Sequence, residues 1–288
     1  MIANFLKYLE YEKRYSRHTL ISYQTDIEQL QQFIEAHFPE LELITCDYRT
    51  LRSWIVSLVE SKIDSRSVNR KIATLRSFYK FLNKRSEISV DPTTKLKVLK
   101  VAKKLPQFVN EEDISKIFDN IQFDNNLENK REQLILELLY GTGIRLSELI
   151  NLERDDVNLN QRTIKVLGKR NKERIIPFSK YLERIIVEYN NVDKNPGAHY
   201  LITDNNGKQL YPMFVYRTVK KYLAFANVDK KSPHVLRHTF ATHLLNKGAE
   251  LNAVKDLLGH SSLAATQVYT HNSMEKLKKA FDKAHPKA

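Results

Sequence analysis

From Ser65 to Arg85 the chain reads SRSVNRKIATLRSFYKFLNKR, and its apolar residues Val68, Ile72, Leu75, Tyr79 and Leu82 step by 4, 3, 4 and 3. That spacing lines one side of an α-helix and neither side of a strand. The same period recurs in SRHTLISYQTDIEQLQQFIEAHF, where Leu20, Tyr23, Ile27, Leu30, Phe33 and Ile34 share a face behind Ser16, an N-cap residue type. Only 7 glycines interrupt the 288 residues, so a mainly α-helical protein is expected, with four or five helices in the first hundred residues. The length is more than one core ordinarily organises, which points to two domains.

The charge is unbalanced. Lys and Arg number 47 against 34 Asp and Glu, a formal net charge of +13. Such an excess suits a polyanionic partner, nucleic acid or an anionic membrane face. On the 65–85 helix, Arg66, Arg70, Lys80 and Lys84 lie roughly opposite the apolar stripe. From Lys62 to Arg85 there are eight basic residues and one acid, Asp64. A face meant only for water more often mixes signs for i,i+4 pairing, so a helix that tracks phosphates is expected at least as readily as a solvated one. The lysine-rich stretch SVDPTTKLKVLKVAKKLPQF, with Pro92 and Pro106 and no acid between Asp91 and Glu111, reads as a linker. The expected organisation is a first helical domain over 1–90, a basic linker over 91–106 and a second domain over 107–288.

The second domain opens with NEEDISKIF, where Asn110 caps a helix and acids fill its first turn. The helix REQLILELLYGTG is expected to stop at Gly141 and Gly143, and another begins near Arg145. RTIKVLGKRNKERIIPF holds two β-branched runs joined by a turn around Gly168 to Lys172, a hairpin, with AHYLIT as a third strand. From Tyr211 onward the pattern is helical. No apolar run approaches the roughly 18 residues that span a bilayer. The amino terminus lacks the pattern of a secretory signal. The single cysteine, Cys46, leaves no intramolecular disulfide and no Cys-rich zinc site. A cytoplasmic protein with no membrane partner is expected, and nucleic acid becomes the favoured polyanion.

Four clusters carry chemistry only when taken together. In GTGIRLSEL, Arg145 follows a glycine-bracketed turn and Glu148 stands three residues on, which is also the spacing of a surface Arg–Glu pair. Lys169 sits at the hairpin tip, where lysines often serve solubility; Lys172 is a second candidate in the same turn. In HVLRHTFATH, His234 and His238 have the i,i+4 spacing of zinc sites. Val235 replaces the glutamate of the zincin pattern, no cysteine or near carboxylate completes a ligand set, and Arg237 would repel a cation, so no metal is expected. In LLGHSSLAATQVYTH, His260 follows a glycine, and Tyr269 fits a core aromatic as well as a nucleophile. Two arginines, a lysine, two histidines and a tyrosine suit metal-free attack on a phosphodiester. Guanidinium forks neutralise the oxygens of a pentacoordinate phosphorus, a lysine in a turn protonates the departing oxygen, and a phenol keeps the bond energy in a covalent intermediate.

The segments TGIRLSELINL, GKRNKERIIPF and HVLRHTFATHLLNKGAELNAVKDLLGHSSLAATQVYTH, with the tail EKLKKAFDKAHPKA, resemble the tyrosine recombinases of the phage integrase family, nearest the bacterial XerC/XerD type. Its signature is His-x-x-Arg, then 23 residues to His, then 9 to Tyr. SVNRKIATLRSFYKFL and SRHTLISYQTDIEQLQQF resemble that family's amino-terminal core-binding domain, so the likeness covers essentially the whole chain. The resemblance makes the domain over 1–90 a helical, SAM-like core-binding, DNA-binding bundle. It implies a mixed α/β, mostly helical catalytic domain with a small β-sheet for the second, the two forming a C-shaped clamp on double-stranded DNA. It makes Tyr269 the nucleophile, Arg145 and Arg237 the phosphate clamp, Lys169 the general acid, His234 and His260 the groups that bond phosphate and assist proton transfer, and Glu148 the support of the first arginine. His238, His243 and His271 read as structural. No cofactor is expected: no metal, ATP or redox group. The implied assembly is a homo- or hetero-tetramer on paired sites, with a second Xer recombinase and the FtsK DNA translocase as partners. Met274, Leu277 and Phe281 give the last helix an apolar face for docking on its own core or a neighbour. The implied reaction passes through a 3′-phosphotyrosine and a Holliday junction, in chromosome dimer resolution. The alternatives are an integrase or transposase of a mobile element, a type IB topoisomerase, and a non-catalytic architectural DNA-binding protein. Integrases of the phage lambda kind carry an extra amino-terminal arm-binding domain, which favours the Xer reading here.

Overall fold

A computed structural model of the protein describes residues 1–102, 107–119, 124, 126–168, 172–195 and 197–259. It divides into two compact units, 1–104 and 105–288.

The first unit is helical: α1 (Ile2–Lys7), running on into a π-helical turn at Tyr8–Glu12, α2 (Arg17–His37), α3 (Tyr48–Glu60) and α4 (Ser65–Lys84). The starts follow local chemistry. Ser16 accepts from the Thr19 amide, Asp47 from Thr50 and Asp64 from Arg66, so one orphan amide at the start of each of α2, α3 and α4 finds a side-chain oxygen. Val68, Ile72, Leu75, Tyr79 and Leu82 of α4 are buried, with Ile27, Leu30 and Ile34 of α2 in the same core. Phe5 packs edge-on to Phe78 at 5.3 Å between ring centres, and the Tyr79 hydroxyl donates to the Leu43 carbonyl at 2.7 Å. Burial drives that phenol well above its ordinary range, so it stays neutral and serves packing.

Two charges lie inside this helical unit. Asp26 on α2 is completely buried and pairs with Arg70, with Lys71 at 2.8 Å and with the Thr74 hydroxyl at 2.8 Å. Lys71, also buried, makes a second bond to Gln29. The counter-charge that is missing along α4 therefore arrives from α2. Arg70 is tied to Asp26 and the Ser22 carbonyl, while Arg66, Lys80 and Lys84 stand exposed on the same side of α4.

The second unit is built around α6 (Leu127–Thr142), which follows α5 (Glu111–Asp119). Every residue of α6 from Arg131 to Thr142 is buried, as expected of a helix enclosed by others. Helices α8 (Lys180–Val192), α9 (Pro212–Tyr222) and α10 (Pro233–Asn246) pack against it. Short α7 (Leu146–Ile150) leads into an antiparallel sheet of order β1–β2–β3: β1 (Val157–Asn158), β2 (Thr163–Leu167) and β3 (Glu173–Pro177). Helix α11 (Leu251–Leu258) lies against α10 and β3. No described helix is long and apolar enough to cross a membrane.

Two local expectations change. The third strand is Val157–Asn158, paired with Thr163 and Ile164, whereas Tyr200 and Thr203 of AHYLIT make only isolated bridges to Glu153 and Gln209. Gly141 stays inside α6, and the helix stops only at Gly143. Gly143 has φ +63°, and a Cβ there would come within 2.4 Å of the Phe240 ring. Glycine satisfies both the left-handed cap and the close approach of α10. Asn110 caps α5 as expected, accepting from the Asp113 amide at 2.7 Å.

Candidate active site

Helix α7 and strand β3 meet at one carboxylate. Gly143 turns the chain out of α6, and Arg145 becomes the N-cap of α7 in extended backbone. Glu148, three residues on, reaches back and accepts the Arg145 amide on Oε2 at 2.7 Å and its guanidinium on Oε1 at 2.7 Å. Strand β3 then brings Arg174 against the same carboxylate. Its Nη1 and Nη2 donate to Oε1 and Oε2 at 2.7 and 2.8 Å, a bidentate fork, and its Nε donates to the Leu257 carbonyl at 2.8 Å. Each oxygen of Glu148 thus accepts two hydrogen bonds.

Arg237 enters from α10. It is buried and donates to the Gly143 carbonyl from one Nη and to the Leu258 carbonyl from the other. Arg145 spends its Nη2 on the Gly259 carbonyl at 3.2 Å. The acceptors lie at the carboxyl ends of α6 and α11, where helix carbonyls without intrahelical partners carry partial negative charge. Those oxygens orient the guanidiniums without neutralising them. Three arginines face one carboxylate, which leaves a formal surplus of two positive charges.

The electrostatics follow. Burial pushes the Glu148 carboxyl upward, but the hydrogen bonds and charge of Arg174, with those of Arg145, outweigh it and hold it down at about 2. At Arg237 it is the charged form that is disfavoured. Burial, then the like charges of Arg145 and Arg174, lower its pKa to about 9, against a smaller pull from Glu148. A guanidinium destabilised in this manner gains when an anion arrives.

The described residues bring together Arg145, Glu148 and Arg237. His234, the second residue of α10, is exposed, one helical turn before Arg237. Lys169, His260, Tyr269 and the apolar face of Met274, Leu277 and Phe281 lie outside the described residues, as does His271. The chain runs beside the cluster at both Gly168 and Gly259. A Cβ on Gly168, just before Lys169, would lie 3.5 Å from Arg174 Nη1 and 3.8 Å from Glu148 Oε1; one on Gly259, just before His260, would lie 3.1 Å from Arg174 Cδ. Lys172 is exposed, and its carbonyl accepts the Gly168 amide at 2.8 Å, closing the base of the hairpin.

His243 is a core residue. Nδ1 bonds the Tyr140 hydroxyl at 3.0 Å, Nε2 bonds the Val109 carbonyl at 2.9 Å, and burial lowers its pKa. Arg174 is the member that sequence reasoning passed over. It stands among the basic residues of the hairpin turn, and only the β2–β3 register, pairing Val166 with Arg174 and Ile164 with Ile176, turns it inward beside its buried neighbour Ile176.

Comparison with known proteins decides the family. Residues 107–276 match the model of the phage integrase family, and residues 2–86 match the phage integrase N-terminal SAM-like domain. The chain belongs to the phage integrase family. It is 40% identical to the tyrosine recombinase XerC of Staphylococcus aureus (strain USA300 / TCH1516), over 99% of this chain and 96% of that protein. It is therefore a tyrosine recombinase of the XerC type. The integrase fold extends to more distant structures. The XerH site-specific recombinase, solved bound to a palindromic difH substrate in a post-cleavage complex, superposes with a TM-score of 0.72 at 23% identity, covering 97% of this chain and 84% of that one. A lambda integrase dimer bound to a COC′ core site gives 0.70 at 16% identity, covering 93% and 97%.

Proposed function

We propose that this recombinase cuts duplex DNA by attack of Tyr269 on a phosphate held between Arg145 and Arg237. The phenol oxygen bonds to phosphorus as the bond to the 5′ oxygen breaks, leaving a 3′-phosphotyrosine and a free 5′-hydroxyl. The phenol proton leaves through His260, His234 bonds a phosphate oxygen, and Lys169 protonates the departing oxygen. Two positively charged forks beside one carboxylate suit the charge that builds on the equatorial oxygens. The observation that carries this is the surplus of guanidinium charge around Glu148, with the chain leaving it toward Lys169 at Gly168 and toward His260 at Gly259. No resident metal or nucleotide is needed in this scheme, since the arginines supply the positive charge and the phosphotyrosine conserves the bond energy.

The first domain then grips the flanking duplex through α4, with 91–106 as the basic linker. Strand exchange proceeds in a tetramer on paired sites through a Holliday junction. The likeness to XerC supports chromosome dimer resolution in the cytoplasm, with a second recombinase and a DNA translocase as partners.

The test uses nicked duplexes, selected from a randomised pool for binding to Tyr269→Phe, and looks for a covalent protein–DNA adduct on a denaturing gel. Wild type should form the adduct and Tyr269→Phe none. No wild-type adduct on any selected duplex, or an adduct with Tyr269→Phe, overturns the assignment.

A further inference from the structure

Resting on the reading that Arg145 clamps the scissile phosphate, we propose that Arg174 is a positioning residue for strand cleavage. It fixes Glu148, and through it both the backbone and the guanidinium of Arg145, while tying the β2–β3 hairpin to the end of α11.

All three nitrogens of the Arg174 guanidinium are used, two on the Glu148 oxygens and Nε on the Leu257 carbonyl. Its side chain is only 4% exposed and Glu148's 2%, so neither partner exchanges bonds readily with water. The remaining hydrogen bonds of Glu148 all run to Arg145, from its amide and from its Nη1. The position of the Arg145 fork is thereby referred to β3 through a single carboxylate. The same guanidinium abuts Gly168 and Gly259, the last described residues before Lys169 and His260. One side chain is thus shared by the three places from which the proposed clamp, acid and histidine are held. A mere counter-ion for Glu148 would need no planar fork. A lysine supplies the charge but cannot span both carboxylate oxygens and the Leu257 carbonyl in one plane.

Removing the fork also changes what Glu148 does in acid. Its neighbours are Arg145 at the start of its own helix, Arg174 from β3 and Arg237 from α10. Glu153, Asp156, Lys165 and Glu173 line the cavity beside it. Without Arg174, burial is opposed chiefly by Arg145, and the carboxyl rises from about 2 toward the working range. Its proton then displaces the bonds that hold Arg145, and activity falls as pH falls through the raised value.

The experiment is single-turnover adduct formation at saturating protein on the selected nicked duplex, from pH 5 to 9, with duplex affinity measured in parallel. Arg174→Lys should cleave about tenfold slower and Arg174→Gln about a hundredfold slower, the scale of a misplaced reacting group, each with affinity within about twofold of wild type. Arg174→Gln should gain an acid limb beyond that of the wild-type profile, and adding Glu148→Gln should remove the added limb. If Arg174→Gln does not fold, Arg174→Lys decides alone. Wild-type rates in Arg174→Lys, or a fall in cleavage matched by an equal fall in affinity, overturn the proposal. The cleaving wild-type protein separates that failure from failure of the recombinase mechanism.

Discussion

Among the described residues, the buried ion cluster around Asp26 in the first unit and the one around Glu148 in the second are built to opposite ends. Around Asp26, one carboxylate meets Arg70, Lys71 and the Thr74 hydroxyl, and the carboxylate is buried while the Arg70 side chain stays 45% exposed. Water and Gln29 share in solvating those cations, and the cluster's product is the join between α2 and α4. Around Glu148, three guanidiniums face one carboxylate, and the spare donors go to helix-end carbonyls that orient them without cancelling their charge. Burial, with the like charges of Arg145 and Arg174, lowers Arg237 to about 9, a cost that the fold bears and a phosphate relieves. A cluster whose spare cation reaches water is a fastening; one whose surplus charge is held rigidly on helix-end carbonyls is a receptor. The contrast lies in the size of the surplus, one positive charge against two, and in what the leftover donors touch.

The largest expected effect is at the Glu148 cluster. Arg237→Gln keeps a donor for the Gly143 or Leu258 carbonyl but removes one of the positive charges. Cleavage of the nicked duplex should fall by about 10²–10³, the loss seen when one preorganised donor is removed from a transition-state site. Because the substitution also relieves repulsion among the three arginines, the urea midpoint for unfolding should hold near wild type. A fall in cleavage of less than tenfold, or a large loss of stability, would make Arg237 a fastening like Arg70 and erase the contrast.

Asp26→Asn tests the other side. It leaves Lys71 buried beside a neutral amide, and breaking a buried pair by removing one partner costs about 3 kcal/mol. Arg70 is freed toward water, so the stranded charge is mainly Lys71. Urea unfolding should show the loss, while the adduct-forming rate at saturating protein, under conditions where the protein is folded, should match wild type. A variant as stable as wild type would mean that the Asp26 cluster contributes little to joining α2 and α4.

How much of this was legible beforehand depends on whether the information is local. Helices α2 and α4 are written in their own residues: a capping serine, a stripe at 3.6-residue period, and no glycine inside. The Arg145–Glu148 pair is legible for the same reason, being three residues apart at a helix start. Arg174 was not, because strand alternation assigns a side chain inward only when the register is known, and that register is set by pairing with β2. Lys71 and Asp26 are 45 residues apart and meet only through packing of α2 on α4. Strand β1 is two residues long, too short to carry a period, while AHYLIT has a strand's composition but only isolated bridges. Gly141 and Gly143 look alike in sequence. Only the second must take a positive φ under Phe240.

The smallest effect is the one that distinguishes residues on a single face of α4. Arg66, Arg70, Lys80 and Lys84 share that side of the helix, yet only Arg70 is committed to a buried carboxylate. If α4 tracks the duplex backbone, each free cation that neutralises a phosphate contributes about 0.9 to the slope of log affinity against log salt. Reversing Arg66, Lys80 or Lys84 to Glu should therefore weaken duplex binding and lower that slope by roughly one apiece. Arg70→Gln should change the slope by less than half as much, because Asp26 and the Ser22 carbonyl already hold the guanidinium against the protein. Titration of each variant with one duplex between low and physiological salt reads the slopes directly. Equal slopes for Arg70→Gln and Lys80→Glu would show that pairing with Asp26 does not withdraw a charge from DNA. Unchanged slopes for the three reversals would return this face of α4 to plain solvation.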